Sequence, residues 1–257
     1  MARMEGTIKN ASEIASLREG GRRLGAVLRL VAVAAEPGVT TGVLDELART
    51  EIVKGGDKPA FLNYKPGGAK RAFPATLCVS VNDEVVHGIP GDRVLAEGDV
   101  VGLDLGLIHK GLFTDSAVTV IVGKGDNKAK ELLQATKASL LAGIAAAKGG
   151  NFIGDIGAAI EPYAHKAGYG IVRELGGHGV GYEVHEMPYV PNYGRAGSGP
   201  VLQPGMVLAI EPMFTEGDEA IRLAPDQFTY VTRDGSRSAH FEHTVLITEG
   251  APEILTQ

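Results

Sequence analysis

Apolar residues recur at helical spacing near the start of the chain. Ile14, Leu17, Leu24, Leu28, Val31 and Ala35 share one helix face. Asn10 and Glu13 stand ahead of them at the spacing of a capping box, so a helix is predicted from there to the breaker Glu36-Pro37-Gly38. Asn10-Ala11-Ser12 also has the form of a glycosylation acceptor, and a helix start is the favoured reading of it. A second helix carries Val43, Leu44, Leu47, Ala48 and Ile52 and stops at Gly55-Gly56. The same plan then returns. Leu132, Leu133, Leu140, Leu141 and Ile144 predict a helix ended by Gly149-Gly150, and Ile153, Ile156, Ala159, Ile160 and Tyr163 predict its partner, ended near Gly168.

The repetition extends beyond the helices. The turn Gly38-x-x-x-Gly42-x-Leu44 matches Gly150-x-x-x-Gly154-x-Ile156. Leu95-x-x-Gly98-x-Val100-Val101-x-Leu103-Asp104 matches Leu202-x-x-Gly205-x-Val207-Leu208-x-Ile210-Glu211. Asp115-x-x-Val118-x-Val120-x-x-Gly123 matches Glu242-x-x-Val245-x-Ile247-x-x-Gly250. His87-Gly88-Ile89 and His178-Gly179-Val180 precede the first carboxylate of each set. Matches in one order along the chain point to an internal duplication. The expected fold is α+β: a single catalytic domain, residues 1–257, of two related halves, roughly 10–123 and 127–250, each a helix pair with antiparallel strands. The junction Gly123–Asn127 reads as a turn, so the halves are expected to share a core.

Alternation places chemistry on these strands. In Val100–Ile108, Val101, Leu103, Leu105 and Leu107 face one way, and Asp104 faces the other between Gly102 and Gly106. A strand over Val207–Met213 turns Leu208 and Ile210 one way and Ala209 and Glu211 the other. After Glu242, Val245 and Ile247 point opposite to Glu242 and Thr244. Any one of these acids, taken alone, reads as a solvated residue on an outer strand face. A pseudo-two-fold axis changes that, because it brings matched acids together. Gathered carboxylates repel and protonate unless cations sit among them. Asp104, Asp115, Glu211 and Glu242 with one imidazole therefore form a candidate two-metal site. The donor set suits Mn, Fe, Co or Zn, and its chemistry is hydrolytic.

Composition narrows the setting. Lys+Arg number 25 against 31 Asp+Glu, a formal charge of −6, without the basic bias that phosphate-backbone binding needs. The single Cys78 cannot form an internal disulfide, which fits a reducing compartment. The N-terminal residues lack the apolar run of a signal peptide, and the longest uncharged apolar stretch, near Leu140–Ala147, is too short to span a membrane. A cytoplasmic location is expected. Gly176–Gly181 is not followed by the Lys-Ser/Thr of a phosphate loop, and His185-Glu186 lacks the second His of a zincin helix.

Several stretches together resemble the type I methionine aminopeptidases over nearly the whole chain. They are Val86–Pro90, Gly98–Asp104, Asp115-Ser116, Gly177–Gly181, Val184–Pro188, Ile210–Met213 and Phe241–Thr244. The resemblance implies the pita-bread fold of the creatinase/aminopeptidase type, with outer helices on an antiparallel sheet. It places the five metal ligands on Asp104, Asp115, His178, Glu211 and Glu242, holding two divalent ions (Co, Mn, Fe or Zn). Asp115 and Glu242 would bridge the ions, Asp104 would hold one, and His178 with Glu211 the other. Water activated between them would attack the carbonyl after an N-terminal Met, with Glu211 passing a proton. His87 would act near the scissile amide and His185 on the carbonyl oxygen. The expected partner is the N-terminus of nascent polypeptides near the ribosome, with a small second residue. The expected state is a monomer that engages neither nucleic acid nor membrane.

The resemblance also suggests a pocket for the Met side chain lined by Phe61, Tyr64, Cys78 and Phe228, with Phe73 beside them. Phe61 stands where bacterial members often carry a second Cys, Phe228 where a Trp is common, and Val184 where an aromatic precedes the histidine. The stretch Lys65–Ala72 reads as longer than usual. His109, His165, His240 and His243 match no catalytic role, and His243 reads as structural. Two alternatives stay open. One is a Pro-specific peptidase of the same fold, which usually carries an N-terminal domain that this chain, with its first helix near Met1, is expected to lack. The other is a catalytically inactive pita-bread binding protein, which would have lost a ligand position.

Overall fold

A computed structural model describes residues 6–65 and 70–257. The four predicted helices form: α1 (Ala11–Ala34), α2 (Thr41–Lys54), α3 (Asn127–Ala146) and α4 (Ile153–Ala167). Their starts follow from local chemistry. The Asn10 side chain accepts from Ser12 N and Glu13 N at 3.0 and 3.1 Å, and Glu13 accepts from Asn10 N at 2.8 Å, completing the capping box. Thr40 caps α2 and Asp126 caps α3. At α4, Asp155 accepts from Phe152 N at 2.7 Å. Gly168, at φ 75°, ends α4 in the left-handed conformation that glycine adopts without strain.

The helix pairs pack on one face of a large antiparallel sheet. In the first half, Leu24, Leu28 and Val31 of α1 and Leu44 and Ile52 of α2 meet Val101, Leu103, Leu105 and Leu107. In the second, Leu140 and Ile144 of α3 and Ile156 and Ile160 of α4 meet Leu208, Ile210 and Val245. Each such side chain contributes roughly 1.5–3 kcal/mol by burial, so the polar face of each strand is fixed as firmly as the apolar one.

The sheet runs in the order 58–59, 100–109, 112–121, 242–246, 207–210, 177–179, 186–190, with 77–81 also on 100–109. The two halves meet at its centre, where Glu242 pairs with Ala117 and His243 with Ser116. The pseudo-two-fold is visible bond by bond. Gly38 N donates to Leu95 O at 2.8 Å, and Gly150 N to Leu202 O at 2.9 Å. Thr41 N donates to Arg93 O and Ile153 N to Pro200 O, both at 2.9 Å. Gly98 N donates to Val122 O at 2.8 Å and Gly205 N to Ile247 O at 2.9 Å, which equates Val122 with Ile247 and sets this strand two residues out of step with the sequence match of Val120 to Ile247. The chain thus has the α+β pita-bread architecture.

Two further sequence expectations change. The strand expected over Val207–Met213 stops at Ile210. Pro212 has no N–H for the ladder, and the chain bends there. Met213–Thr215 joins a separate sheet with Ser238–His240 and Gly170–Ile171, so Glu211 sits just beyond the strand. The second change concerns His87 and His178. Ser80 pairs with Gly102 and Val81 with Val101, whereas His178 pairs with Ala209 and Gly179 with Leu208. Gly102 and Ala209 are the matched positions, so Ser80 holds the place of His178. His87 lies past the next strand, Glu84–Val86. Of the stretch Lys65–Ala72, residues 66–69 lie outside the described residues. Among the described residues no helix is long and apolar enough to cross a membrane.

Candidate metal centre and adjoining pocket

On the sheet face away from the helices, one cavity is lined by Asp104, Asp115, His178, Glu211 and Glu242 together with His87 and His185. Phe61, Tyr64, Phe73, Cys78 and Phe228 complete its walls. Every residue singled out in the sequence as ligand, catalytic group or pocket wall is brought to this place. Asp104 and Asp115 project from the hairpin 100–121, and Gly106 beside Asp104 lets Phe61 and Ala60 pack close. Glu242 leads the adjacent strand across the central seam. The Thr244 hydroxyl locks that seam, accepting from Asp115 N at 2.9 Å and donating to Asp115 O at 2.7 Å.

One ligand atom each from Asp115, His178 and Glu242 lie within 4.8 Å of one another. Asp104 and Glu211 line the same cavity, with Glu211 Oε1 3.5 Å from His178 Nε2. Asp104 Oδ1, Asp115 Oδ1 and Glu242 Oε1 are buried without a hydrogen-bond partner. Buried carboxylate oxygens left unpaired are costly, and a cation relieves that cost. His178 is prepared for the same role. Its Nδ1 lies 2.9 Å from Gly179 O and must donate there, which leaves the Nε2 lone pair free on the side of Glu211. The donor set therefore fits divalent metal.

The electrostatics agree. Burial lifts the Asp104 carboxyl to about 6. Burial, with the charges of Asp104 and Glu211, pushes Asp115 well above its ordinary value. Burial and the Asp115 charge do the same to Glu242. Burial would raise Glu211 as well, but the adjacent His240 imidazole outweighs it and holds this carboxyl low. Burial lowers His87 to about 4 and, with His178 nearby, His185 to about 3, so both rings are neutral near pH 7. Tyr64 Oη lies 2.8 Å from His185 Nδ1, and the His185 ring centroid is 4.4 Å from that of His178. His87 sits at φ 61° in a tight passage where Gly88 crosses the strand 77–81.

The pocket cluster joins Phe61, Phe73, Cys78 and Phe228 to Val184, with Tyr64 packed against it. Phe73 meets Phe228 edge-on at 5.4 Å. The Cys78 thiol is pushed up by burial and by the Asp104 charge, so it lines the pocket as a neutral apolar group.

Of the remaining histidines, His243 Nδ1 bonds the Thr256 hydroxyl at 2.9 Å, as a structural reading expects. His109 pairs with Asp57 at 2.7 Å, and His165 is exposed beside Glu161, both outside the cavity lining. His240 differs. Its Nε2 lies 3.6 Å from Glu211 Oε2. Its place two residues before Glu242 was the available signal, since residues at that spacing share a strand face. Asn192, buried, donates to Glu211 O at 3.0 Å and also had no sequence signature.

The model of metallopeptidase family M24 matches residues 15–249. The methionine aminopeptidase of Aquifex aeolicus is 48% identical over 248 residues, covering 95% of this chain and 96% of that protein. That of Clostridium acetobutylicum is 46% identical over 250 residues, covering 97% and 98%. The crystal structure of methionine aminopeptidase from Thermotoga maritima superposes with a TM-score of 0.94 at 44% identity, covering 98% of this chain and all of that one. The prolidase of Pyrococcus horikoshii shares the fold, with a TM-score of 0.77 at 23% identity, and this chain spans 63% of its length.

Proposed function

The chain belongs to the methionine aminopeptidases of metallopeptidase family M24, and from that premise we propose how its residues release the N-terminal Met of nascent proteins and peptides with a small second residue. It is a hydrolase, a metal-dependent aminopeptidase. Asp115 and Glu242, whose buried oxygens lack partners at the central seam, would hold both of two ions. Asp104 would hold one of them, and His178 with Glu211 the other. Divalent Mn, Fe, Co or Zn would supply Lewis acidity at the scissile carbonyl and lower the pKa of water.

The protein groups supply the rest. The Met side chain enters the pocket of Phe61, Tyr64, Cys78 and Phe228, which places the scissile carbonyl over the carboxylates. Tyr64 donates to Nδ1 of the neutral His185 ring, leaving Nε2–H to donate to the carbonyl oxygen as its charge grows. Glu211, held ionised by the adjacent His240 ring, takes a proton from water and returns it to the leaving amine. His87, neutral through burial, orients the amide nitrogen during that transfer. We further read residues 1–257 as one catalytic unit, a cytoplasmic monomer acting on chains emerging from the ribosome.

The observation that carries this reading is the convergence of partnerless buried carboxylate oxygens on a ring nitrogen whose lone pair is free. The test is free-Met release from Met-Ala-Ser by metal-stripped protein resupplied with Mn, Co or Fe, with Leu-Ala-Ser and an X-Pro peptide alongside. Metal-dependent release from the Met peptide alone is expected. Hydrolysis of only the X-Pro peptide would move the chain to the prolidase branch. No hydrolysis by folded protein that binds metal would leave a binding role.

A further inference from the structure

Glu211 has two carboxylate oxygens with different neighbours. Oε1 lies 3.5 Å from His178 Nε2, and Oε2 lies 3.6 Å from His240 Nε2. The residue stands past the end of its strand, where Pro212 removes the next ladder bond, so the sheet does not fix its side chain. His240 is held far more firmly. Thr119 Oγ1 accepts from His240 N at 2.9 Å and donates to His240 O at 2.7 Å, and His240 pairs with Met213 across the small sheet. Its side chain is 3% exposed, and its Nε2 is buried with no hydrogen-bond partner. A buried ring nitrogen left unpaired is costly, and Glu211 Oε2 is an acceptor beside it.

We propose that His240 is a positioning residue for Glu211, donating from Nε2 to Oε2 so that Oε1 stays turned toward His178. The inference rests on the metalloaminopeptidase reading. A carboxylate free to rotate would present either oxygen to an ion or to water. A fixed one keeps Oε1 as ligand and leaves Oε2 at a defined place for proton transfer. Partners of this kind orient ligands without touching the ion.

Two variants of similar length separate donor from bulk. His240→Gln keeps an N–H donor and His240→Met does not. Isothermal titration of Mn(II) into metal-stripped protein is read beside the kinetics of Met-Ala-Ser. For His240→Met, the affinity of one Mn(II) is expected to fall about 10–100-fold and kcat by a similar factor, with KM unchanged. His240→Gln is expected to recover most of both losses. Wild-type affinity and kcat in His240→Met would overturn the proposal. Equal impairment of the Gln and Met variants would do the same, because ring packing would then be the cause. Should His240→Met fail to fold, a crystal structure of the Mn-loaded wild type decides. Nε2 to Oε2 is expected within ~3.2 Å, and a longer separation sinks the idea. Wild-type protein that binds Mn(II) but releases no Met would refute the function and leave the titration to judge His240.

Discussion

Asp104 and Asp115 come from strands 100–109 and 112–121, which pair without interruption from Val100↔Ile121 to His109↔Leu112. On the opposite side of the seam, His178 comes from a three-residue strand and Glu211 from the residue after a four-residue one. Asp104 and Glu211 occupy matched positions in the two halves, yet the two walls are held by different means. Backbone ladder fixes the first wall. Side chains fix much of the second: Asn192 on Glu211, Thr119 on His240, and Glu186 on the 181–186 segment that carries His185. Duplication of a fold therefore need not duplicate its rigidity. The wall with broken strands depends on polar groups far from it in sequence, and it is the more fragile of the two.

Lys9 gives the strongest way to break this contrast. Its ammonium is fully buried and lies 2.8 Å from Glu186 Oε2 and 4.1 Å from the Tyr182 ring centroid. Glu186 in turn accepts from the backbone N–H groups of Tyr182 and Glu183. Lys9→Met leaves a buried carboxylate without its cation, a loss of about 3 kcal/mol or more. Urea denaturation of Lys9→Met should show that loss, and adding Glu186→Gln should recover part of it. A loss under ~0.5 kcal/mol, the scale of an ordinary surface change, would mean that the second wall does not lean on this pair.

Titration of the metal-stripped protein tests where the walls meet. The Asp104 carboxyl is raised to about 6 by burial, against an unfolded value of ~3.9. A raised carboxyl contributes stability below the unfolded pKa and loses it as pH climbs through the folded one. Asp104 alone withdraws roughly 3 kcal/mol across about pH 4 to 6, and Asp115 and Glu242 shift in the same direction. Below about pH 6.5 that loss is offset by His87, His185 and His243, which burial lowers to about 4, 3 and 4 and which therefore add stability as pH rises. Melting temperature without metal should fall above that pH, where Asp115 and Glu242 still hold their protons, and saturating Mn(II) should remove the slope. A flat profile without metal would mean that the carboxylates are not crowded.

Much of this was legible in the sequence, for reasons that particular residues make plain. The capping box at Asn10 and Glu13 is local chemistry, and the helix forms where it indicates. Asp104 between two glycines with leucines on the opposite parity could face only one way. The paired acids stood out because matched carboxylates are unusual on facing strands, whereas His87, His178, His185 and the pocket walls were supplied by the family resemblance. What escaped was set by non-local pairing. The resemblance of His87-Gly88 to His178-Gly179 is real in letters, but strand register matches His178 to Ser80. The break at Pro212 was readable from proline's missing N–H, and a strand pattern continuing to Met213 obscured it. His240 carried a weak signal, because its approach to Glu211 depends on where a carboxylate beyond the end of another strand comes to lie.

The smallest expected effect tests the rigid wall directly. Gly106 lies on the same face as Asp104 and pairs with Asp115. A Cβ there would lie 2.6 Å from Phe61 Cε1 and 2.7 Å from Ala60 Cβ. Something must yield to Gly106→Ala, and the ladder on both sides of the strand opposes any movement of its backbone. The Ala60-Phe61 segment, tied to Gly106 by one bond from Ala60 N at 3.0 Å, should move instead and carry the Phe61 ring with it. Overpacking of this kind costs about 1–2 kcal/mol. If the strand holds, the ligands stay in place: Mn(II) affinity and kcat remain near wild type, while KM for Met-Ala-Ser rises about tenfold, equivalent to ~1.4 kcal/mol. If Mn(II) affinity falls instead, the strand has given way and the first wall is no stiffer than the second. A change in KM alone would mean that the pocket can be reshaped without disturbing the carboxylates beside it, as a wall held by backbone requires.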